Sequence, residues 1–497
     1  MSDGVQRDDD HGVRALVIGF GRTGVAVAHF LLAGGAAVRV CDRRPAADFA
    51  TALSPLAGRV DARLGSEDLT CLDGITLVVP SPGVPADAPL LRAANRRGIT
   101  VLSEIELAAR ALTVPLLAVT GTNGKSTTTS LLGEMLRAAG ARPFVGGNLG
   151  TPLIEAVGGA YDVAVAEVSS FQLEWVERLR PRIGVFLNLT DDHLDRHADR
   201  EVYGRTKLRL FARQTEDDVA VLNGADPWIC GHAGDLRARR IWFGAGTANR
   251  PEVGNGSPSD PRAGSLSESR PRAGNLSESH PRAGNLCESH SDAGDRVVLG
   301  TDGAAINLRL AGRDEVYPLD AVQLAGAHNR ENMMAAVAAA RAFGVPAAAV
   351  QQALERFRGL EHRLELVRER AGVRYVNDSK GTNAGAVIKS LASFPGNVIL
   401  LAGGIEKGGD YGVLVEPVRR TVKRAIVFGA ARELLARTLA GATEVELVDS
   451  LAEAVARAAA VAGRGDTVLL SPACASFDMF RDYADRGRQF KALVEAL

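Results

Sequence analysis

Three α/β domains, each organised on a largely parallel sheet, are what this sequence predicts, and three observations carry that expectation. An apolar run followed by a glycine-containing polar loop and a helix recurs along the chain, as in the stretches 13–42, 116–129 and 373–391. With 497 residues there is room for roughly three domains of ~150 residues each, enough to bury large cores. The composition, 46 % hydrophobic and 24 % charged with a net charge of −1, is that of an ordinary folded enzyme and carries no nucleic-acid or membrane footprint. The five cysteines (Cys41, Cys71, Cys230, Cys287, Cys474) are scattered without a C-x-x-C pair, which indicates neither a disulfide framework nor a zinc site and fits a reducing cytoplasm. The N-terminal MSDGVQRDDDHG is acidic and polar where a signal peptide would be basic and then apolar. No run of about 18 apolar residues offers a membrane span.

The first domain, 1–112, opens on VRALVIGFGRTGVAVAHFLLAGGAAVRVCD. A strand at 15–19, a Gly19-x-Gly21-x-x-Gly24 loop, an apolar helix and a second strand ending at Asp42 form a βαβ unit that seats a pyrophosphate on a helix N-terminus. Asp42 stands about where a dinucleotide fold places its ribose-binding acid, so these residues alone leave an NAD site open beside a plain turn carboxylate. Ser81-Pro82-Gly83 ends a later strand, which puts its loop on the same rim.

The second domain, 113–357, carries LLAVTGTNGKSTTT. Here a buried strand runs into Gly121-Thr122-Asn123-Gly124-Lys125-Ser126-Thr127 and the first turn of a helix. Gly121 and Gly124 let backbone N–H groups converge, the helix dipole adds positive potential, Lys125 supplies a point charge, and Ser126 offers a hydroxyl to magnesium. The spacing is shorter than the usual eight-residue loop, since Val119 stands where that pattern has glycine. Downstream, one strand ends at Glu167 ahead of Ser169, and another runs into Asp191, Asp192 and His193. Carboxylates and an imidazole beside a phosphate loop suit a magnesium–nucleotide site, although His193 also reads as a helix-start surface residue. Gly146-Gly147-Asn148-Leu149-Gly150 is a loop able to approach a ligand closely. Residues 245–295 hold three ten-residue copies, PRAGSLSESR, PRAGNLSESH and PRAGNLCESH, too poor in apolar surface to offset ordering, and are expected to be a disordered insertion. Beyond them, Asn329 and Asn332 share one face of an alanine-rich helix or its entry.

The third domain, 358–497, repeats strand, polar loop and helix. Arg363, Asp378, Lys380, Thr382 and Asn383, then Lys407, then a serine-rich loop at 471–476 lie at strand ends, so Arg363, Lys380 and Lys407 can reach an anionic ligand there. Each alone also reads as a solvated charge.

In this order TGTNGKST, EVSSFQLE, NLTDDHLDRH, YGRTKLRLF, GAHNRENMMAA, GLEHR, NDSKGTN, LAGGIEKGGD and LSPACASFDMFRDY resemble the Mur ligase family along nearly the whole chain. The resemblance implies a Rossmann-like first sheet, a P-loop ATPase-like second and a Rossmann-like third. It also implies an ATP-dependent carboxylate–amine ligase that joins D-glutamate to UDP-N-acetylmuramoyl-L-alanine through an acyl phosphate.

Under that resemblance Gly21, Arg22, Thr23 and Gly24 take the pyrophosphate, Asp42 and Arg43 the uracil, and Ser81, Asn148 and Ser169 further parts of the same substrate. Ser126, Glu167 and His193 hold magnesium, and Lys207 takes the place of a lysine carried as a carbamate that bridges to a second magnesium. By residue type alone Lys207 would be a solvated charge between Arg205 and Arg209. Asn329 is matched to adenine, Arg363, Asp378 and Lys380 to ATP, and Thr382, Lys407 and Ser476 to D-glutamate. Phe477 lies in the same loop, and Tyr483 stands where the family has phenylalanine. The implied protein is a cytoplasmic monomer. Alternatives are a sibling Mur ligase with another amino acid, a folylpolyglutamate synthase, which resembles the chain poorly before residue 113, a nucleotide-regulated NAD oxidoreductase, and an ATP-dependent scaffold.

Overall fold

The computed structural model describes residues 12–190, 196, 199–244, 294–324, 326–406 and 410–497. His193, Lys407 and the repeat segment up to residue 293 lie outside them. The chain forms two compact units, 1–356 and 357–497.

Unit 1 contains two sheets. The first has five strands, β1 (Arg14–Ile18), β2 (Ala37–Asp42), β3 (Val60–Leu64), β4 (Leu77–Pro80) and β5 (Thr100–Val101), in the order β3-β2-β1-β4-β5 and parallel throughout. The second has nine: β6 (Leu116–Thr120), β7 (Pro143–Gly147), β8 (Val163–Glu167), β9 (Ile183–Phe186), β10 (Val219–Asn223), β11 (Arg239–Gly244), β12 (Arg296–Leu299), β13 (Ala305–Leu310) and β14 (Arg313–Pro318). Their order is β14-β13-β12-β11-β10-β9-β6-β8-β7. Every residue of β6, β8 and β10 is buried, as expected of strands covered on both faces. The parallel expectation holds from β6 to β12, but β13 and β14 add an antiparallel edge. Their short alternating runs follow the repeats and carry no β-loop-α signature.

Two buried glutamates on the helix Glu104–Ala111 tie the two sheets of unit 1 together. Glu106 accepts from the backbone N–H groups of Glu177, Arg178 and Leu179 at 2.9–3.0 Å, and Glu104 accepts from Ile154 N at 2.7 Å. Burial pushes the Glu104 carboxyl up to about 7, against the pull of its backbone donors.

Unit 2 holds one six-stranded sheet: β15 (Glu365–Arg370), β16 (Val373–Asn377), β17 (Val398–Gly403), β18 (Val422–Phe428), β19 (Glu444–Leu447) and β20 (Thr467–Leu470), ordered β15-β16-β20-β17-β18-β19. Only β15 runs antiparallel. The helix Tyr483–Glu495 lays Phe490 and Val494, four residues apart, onto the face formed by Ile399, Leu401, Val468 and Leu470.

Candidate active site

Parallel sheets deliver their loops at the carboxyl ends of the strands, so chemistry gathers where neighbouring strands end together. In unit 1 that place is the mouth of β7, β8, β6 and β9. Gly124, in the left-handed region at φ +84°, caps the helix Lys125–Ala138. An added Cβ there would sit 2.1 Å from Asn332 Oδ1, so only glycine allows the loop to press against that buried side chain. Thr122 N donates to Asn188 O at 2.9 Å and Asn123 N to Asn188 Oδ1 at 2.8 Å, so the loop is held from β9. Lys125 Nζ donates to the carbonyls of Gly121 and Thr122, both at 2.9 Å. Ser126 and Thr127 are buried in the first helical turn.

Lys207 is where residue type misled. It is 1 % exposed, its Nζ donates to the same Gly121 carbonyl at 2.9 Å, and it lies 4.4 Å from the centre of the Tyr203 ring. The solvated reading fails because the helix Arg200–Leu208 turns this residue inward. Its cationic neighbours turn elsewhere: Arg205 pairs with Glu201, and Arg209 donates to the carbonyls of Glu174 and Val176.

Glu167 closes β8, directly opposite Val119 of β6. Its Oε1 accepts from Asn148 Nδ2 at 2.8 Å, while Oε2 is buried with no hydrogen-bond partner among the described residues. A buried carboxylate oxygen left without a donor is costly unless something positive meets it, which is what a magnesium ligand at this place requires. The residues therefore fit the ion: Glu167 and the Ser126 hydroxyl would hold it beside the phosphate loop. Asn148 is exposed on its loop and also donates through its backbone N–H to Glu167 O at 2.8 Å. Ser169 acts as an N-cap, its Oγ accepting from Gln172 N in a reciprocal capping box, so its hydroxyl already has a structural role. Asn329 lies one turn from Asn332, whose Nδ2 donates to it at 3.3 Å.

The five-stranded sheet presents a second mouth at β2, β1 and β4. Gly24 lets the helix Arg22–Ala33 approach β1, since a Cβ there would lie 2.1 Å from Gly19 O. Gly21 caps that helix, with Arg22 exposed and Thr23 half-buried beside it. Arg22 Nη2 donates to Thr151 Oγ1 at 3.2 Å, and Ser81 Oγ to Gly19 O at 2.8 Å. Asp42 is committed internally: it accepts from Phe20 N at 2.8 Å and from Arg44 at 2.9–3.1 Å. These bonds outweigh its burial and hold its carboxyl at about 2. An acid engaged in this way shapes the turn and has little left for ribose hydroxyls, which weakens the NAD alternative. Arg43 pairs with Glu67 at 2.8 Å. Arg44, not singled out from the sequence, lies 4.5 Å from the Phe49 ring centre and lines a cavity of about 730 Å³ with Phe20, Gly21 and Phe30.

In unit 2 the loops after β16, β20 and β17 come together. Asp378 is buried; its Oδ2 accepts from Ser390 Oγ at 2.6 Å and Ser471 Oγ at 2.7 Å, and desolvation still lifts its pKa to about 6. Lys380 N donates to His362 O at 3.0 Å and Thr382 N to Lys380 O at 2.8 Å. Lys380 Nζ lies 5.8 Å from the Tyr483 ring centre. Arg363 is half-buried in the turn where His362 (φ 64°) and Leu364 (φ 47°) adopt left-handed backbone. Ser476 Oγ is buried and has no partner among the described residues. Phe477 beside it is 70 % exposed. Residues missed from the sequence are Asn188, a lone amide after a strand, and Arg486, whose only sequence signal is its i, i+4, i+8 spacing with the apolar Phe490 and Val494.

Family models match along the chain: a Mur ligase MurD-like N-terminal domain over residues 13–103, a Mur ligase middle domain over 119–251, and a Mur ligase glutamate ligase domain over 362–474. A UDP-N-acetylmuramoylalanine–D-glutamate ligase from Geobacter metallireducens is 44 % identical over 489 residues, 98 % of each chain. One of the same name from Anaeromyxobacter dehalogenans is 43 % identical over 490 residues, 97 % of each. Among solved structures, a UDP-N-acetylmuramate–alanine ligase from Thermotoga maritima superposes with a TM-score of 0.52 at 17 % identity, covering 97 % of this chain and 99 % of that one. A pseudomurein peptide ligase type C from Methanothermus fervidus gives 0.51 at 18 %, with coverage of 97 % and 99 %. At such identities these two speak for the fold.

Proposed function

The chain belongs to the Mur ligase family, and from that premise we infer that it joins the amine of D-glutamate to the carboxylate of UDP-N-acetylmuramoyl-L-alanine, converting ATP to ADP and phosphate, in the assembly of peptidoglycan precursors. The observation that carries this reading is the nearly complete overlap, at 41–44 % identity, with ligases of that name.

A carboxylate does not condense with an amine in water until one of its oxygens becomes a leaving group. A substrate carboxylate oxygen attacks the γ-phosphorus of ATP and ADP departs. The D-glutamate nitrogen then attacks the acyl carbon, phosphate leaves, and the nitrogen sheds a proton as the amide forms. The difficulty is bringing carboxylate and γ-phosphate together, two anions in one place. Lys125, the loop N–H groups and the dipole of the helix Lys125–Ala138 offset that repulsion. Magnesium, when bound, neutralises charge on the phosphate oxygens. Glu167 and Ser126, with His193, would hold it, and Lys207, buried at the loop, would carry the carbamate that holds a second ion.

We assign residues 1–112 to the uridine nucleotide, with Gly21 to Gly24, the Asp42-Arg43 turn and Ser81 around it, 113–357 to ATP and magnesium, and 358–497 to ATP and D-glutamate. Asn148 and Ser169 belong to the muramoyl substrate and Asn329 to adenine. Arg363, Asp378 and Lys380 serve ATP, and Thr382, Lys407, Ser476, Phe477 and Tyr483 the amino acid. We place the enzyme in the cytoplasm, where ATP and UDP-linked precursors are made, as a monomer; among the described residues no helix is long and apolar enough to cross a membrane.

Coupled ADP release with UDP-N-acetylmuramoyl-L-alanine and either D- or L-glutamate tests the reading. Release that depends on the D-isomer is expected. Release indifferent to the amino acid, or specific for another one, would overturn it.

A further inference from the structure

The three loops given to D-glutamate and ATP in unit 2 share one anchor. Arg486 lies in the first turn of the helix Tyr483–Glu495, one turn before Phe490 in the stripe packed on the sheet, and is completely buried. Its guanidinium makes five hydrogen bonds. Nε donates to Ser379 Oγ at 3.0 Å, Nη1 to Gly403 O at 3.2 Å and Cys474 O at 3.3 Å, and Nη2 to Ser379 O at 3.0 Å and Cys474 O at 3.2 Å. That uses the whole five-donor inventory of a guanidinium. The acceptors sit after β16, at the end of β17 and after β20. Burial draws the guanidinium pKa down to about 10, which leaves the group charged at neutral pH.

These loops adopt backbone that persists only where its surroundings over-determine it. Gly403 and Gly404 lie at φ 147° and 132°, and Ala473, a residue with a side chain, at φ 62°. Backbone bonds link them in pairs, Ala473 N to Gly381 O at 2.8 Å and Gly403 N to Pro472 O at 2.9 Å, whereas the guanidinium of Arg486 reaches all three strand ends at once. Ser379 Oγ, which receives the Nε–H, itself donates to Tyr483 O at 2.7 Å, so the same group sets the start of the helix that carries Tyr483.

We propose that Arg486 is a positioning residue for the amino-acid substrate, its planar guanidinium fixing the distances between Thr382, Ser476 and Tyr483 by clamping the loops after β16, β17 and β20. This rests on the reading of those loops as the D-glutamate site. Lysine cannot replace it, having three donors on one nitrogen and no fork with which to meet three loops at once.

The test compares wild type with Arg486→Lys, both full length and checked for folding by circular dichroism. KM for D-glutamate should rise by about 10-fold or more in the variant, while KM for UDP-N-acetylmuramoyl-L-alanine stays within about 2-fold, since a loosened loop set weakens one substrate and not the other. In Arg486→Ala, millimolar guanidinium chloride should lower the D-glutamate KM toward wild type, and sodium chloride at equal ionic strength should not. If neither variant folds, Ser379→Ala, which removes the hydroxyl that accepts from Arg486 Nε and donates to Tyr483 O but leaves the other four guanidinium bonds, takes their place, with a smaller rise in the D-glutamate KM expected. An unchanged D-glutamate KM in a folded variant, or equal rises for both substrates, overturns the clamp. Absence of D-glutamate-dependent ADP release from the wild type would instead sink the functional reading.

Discussion

Asp378→Asn should change the pH dependence of stability in a direction set by the burial of this carboxylate. Two serine hydroxyls and the N–H of Leu364, at 3.3 Å, favour the ionised form, yet desolvation outweighs them and the pKa rises from 3.8 to about 6. In the unfolded chain the group ionises at its ordinary value. Below that value it is neutral in both states and its contribution to stability is fully present. Between about 4 and 6 the unfolded state ionises while the folded state does not, and stability falls; above about 6 the loss is constant. A shift of about 2 units amounts to about 3 kcal/mol. Going from pH 5 to pH 8 crosses about one unit of that window, so the stability of the variant relative to wild type should increase by about 1.4 kcal/mol. Asparagine can keep its one oxygen facing both serines but turns its NH2 group toward the N–H of Leu364, a loss of about 1 kcal/mol that is the same at every pH, so the slope carries the information rather than the sign at one pH. Urea unfolding of both full-length proteins at pH 5, 6, 7 and 8 measures it. Curves for variant and wild type that stay parallel to within ~0.3 kcal/mol would refute the argument that burial dominates the hydroxyl donors.

Lys125→Ala should lower kcat by ~100-fold or more, the usual effect of deleting a preorganised charge at a phosphoryl centre, and wild-type-like ADP release from the folded variant would remove the loop from the ATP site. Glu167→Gln preserves an acceptor for Asn148 but replaces the carboxylate oxygen that has no partner among the described residues, so the magnesium concentration for half-maximal rate should rise ~10-fold; an identical magnesium titration would exclude Glu167 as a ligand. Lys207→Ala should lose most activity and regain part of it with added acetate, a small carboxylate standing in for the carbamate. Full activity of the variant in CO2-depleted buffer would exclude the modification.

How much of this was legible beforehand depended on whether local pattern or distant packing decided each feature. The glycine loops at 19–24 and 121–126 could be read because tight turns and helix starts are encoded within a few residues, and the parallel core because β-loop-α units repeat. The inward turn of Lys207 could not, since a short helix with Arg205, Lys207 and Arg209 looks solvated until Gly121, 86 positions earlier in sequence, is known to face it. Arg486 was hidden for the same reason: its acceptors come from three separate loops. Asp42 was legible as a residue at the end of the second strand, on the rim with the first glycine loop, but its engagement by Phe20 and Arg44 depends on side-chain geometry that spacing does not encode. The antiparallel edge of β13 and β14 was lost behind the repeats.

The seam between β11 and β12 has a consequence of its own. The two strands pair in parallel, Trp242 opposite Arg296 and Gly244 opposite Val298, yet residues 245–295 separate them in sequence. Parallel neighbours cannot be joined by a hairpin; the chain must travel back the length of a strand, which takes about a dozen residues or more. Any connection between such neighbours has a minimum length set by geometry and, where the added chain is flexible, hardly a maximum, because each doubling adds only ~0.6 kcal/mol of closure entropy. Three tandem copies of a decapeptide lie between these mouths, and unequal copying of such units would lengthen or shorten the span in steps of ten while the strand register at either end stays as it is. In evolutionary terms this is a port where the gene can accrete or shed sequence, and where an engineer could graft a reporter domain without rebuilding the nine-stranded sheet.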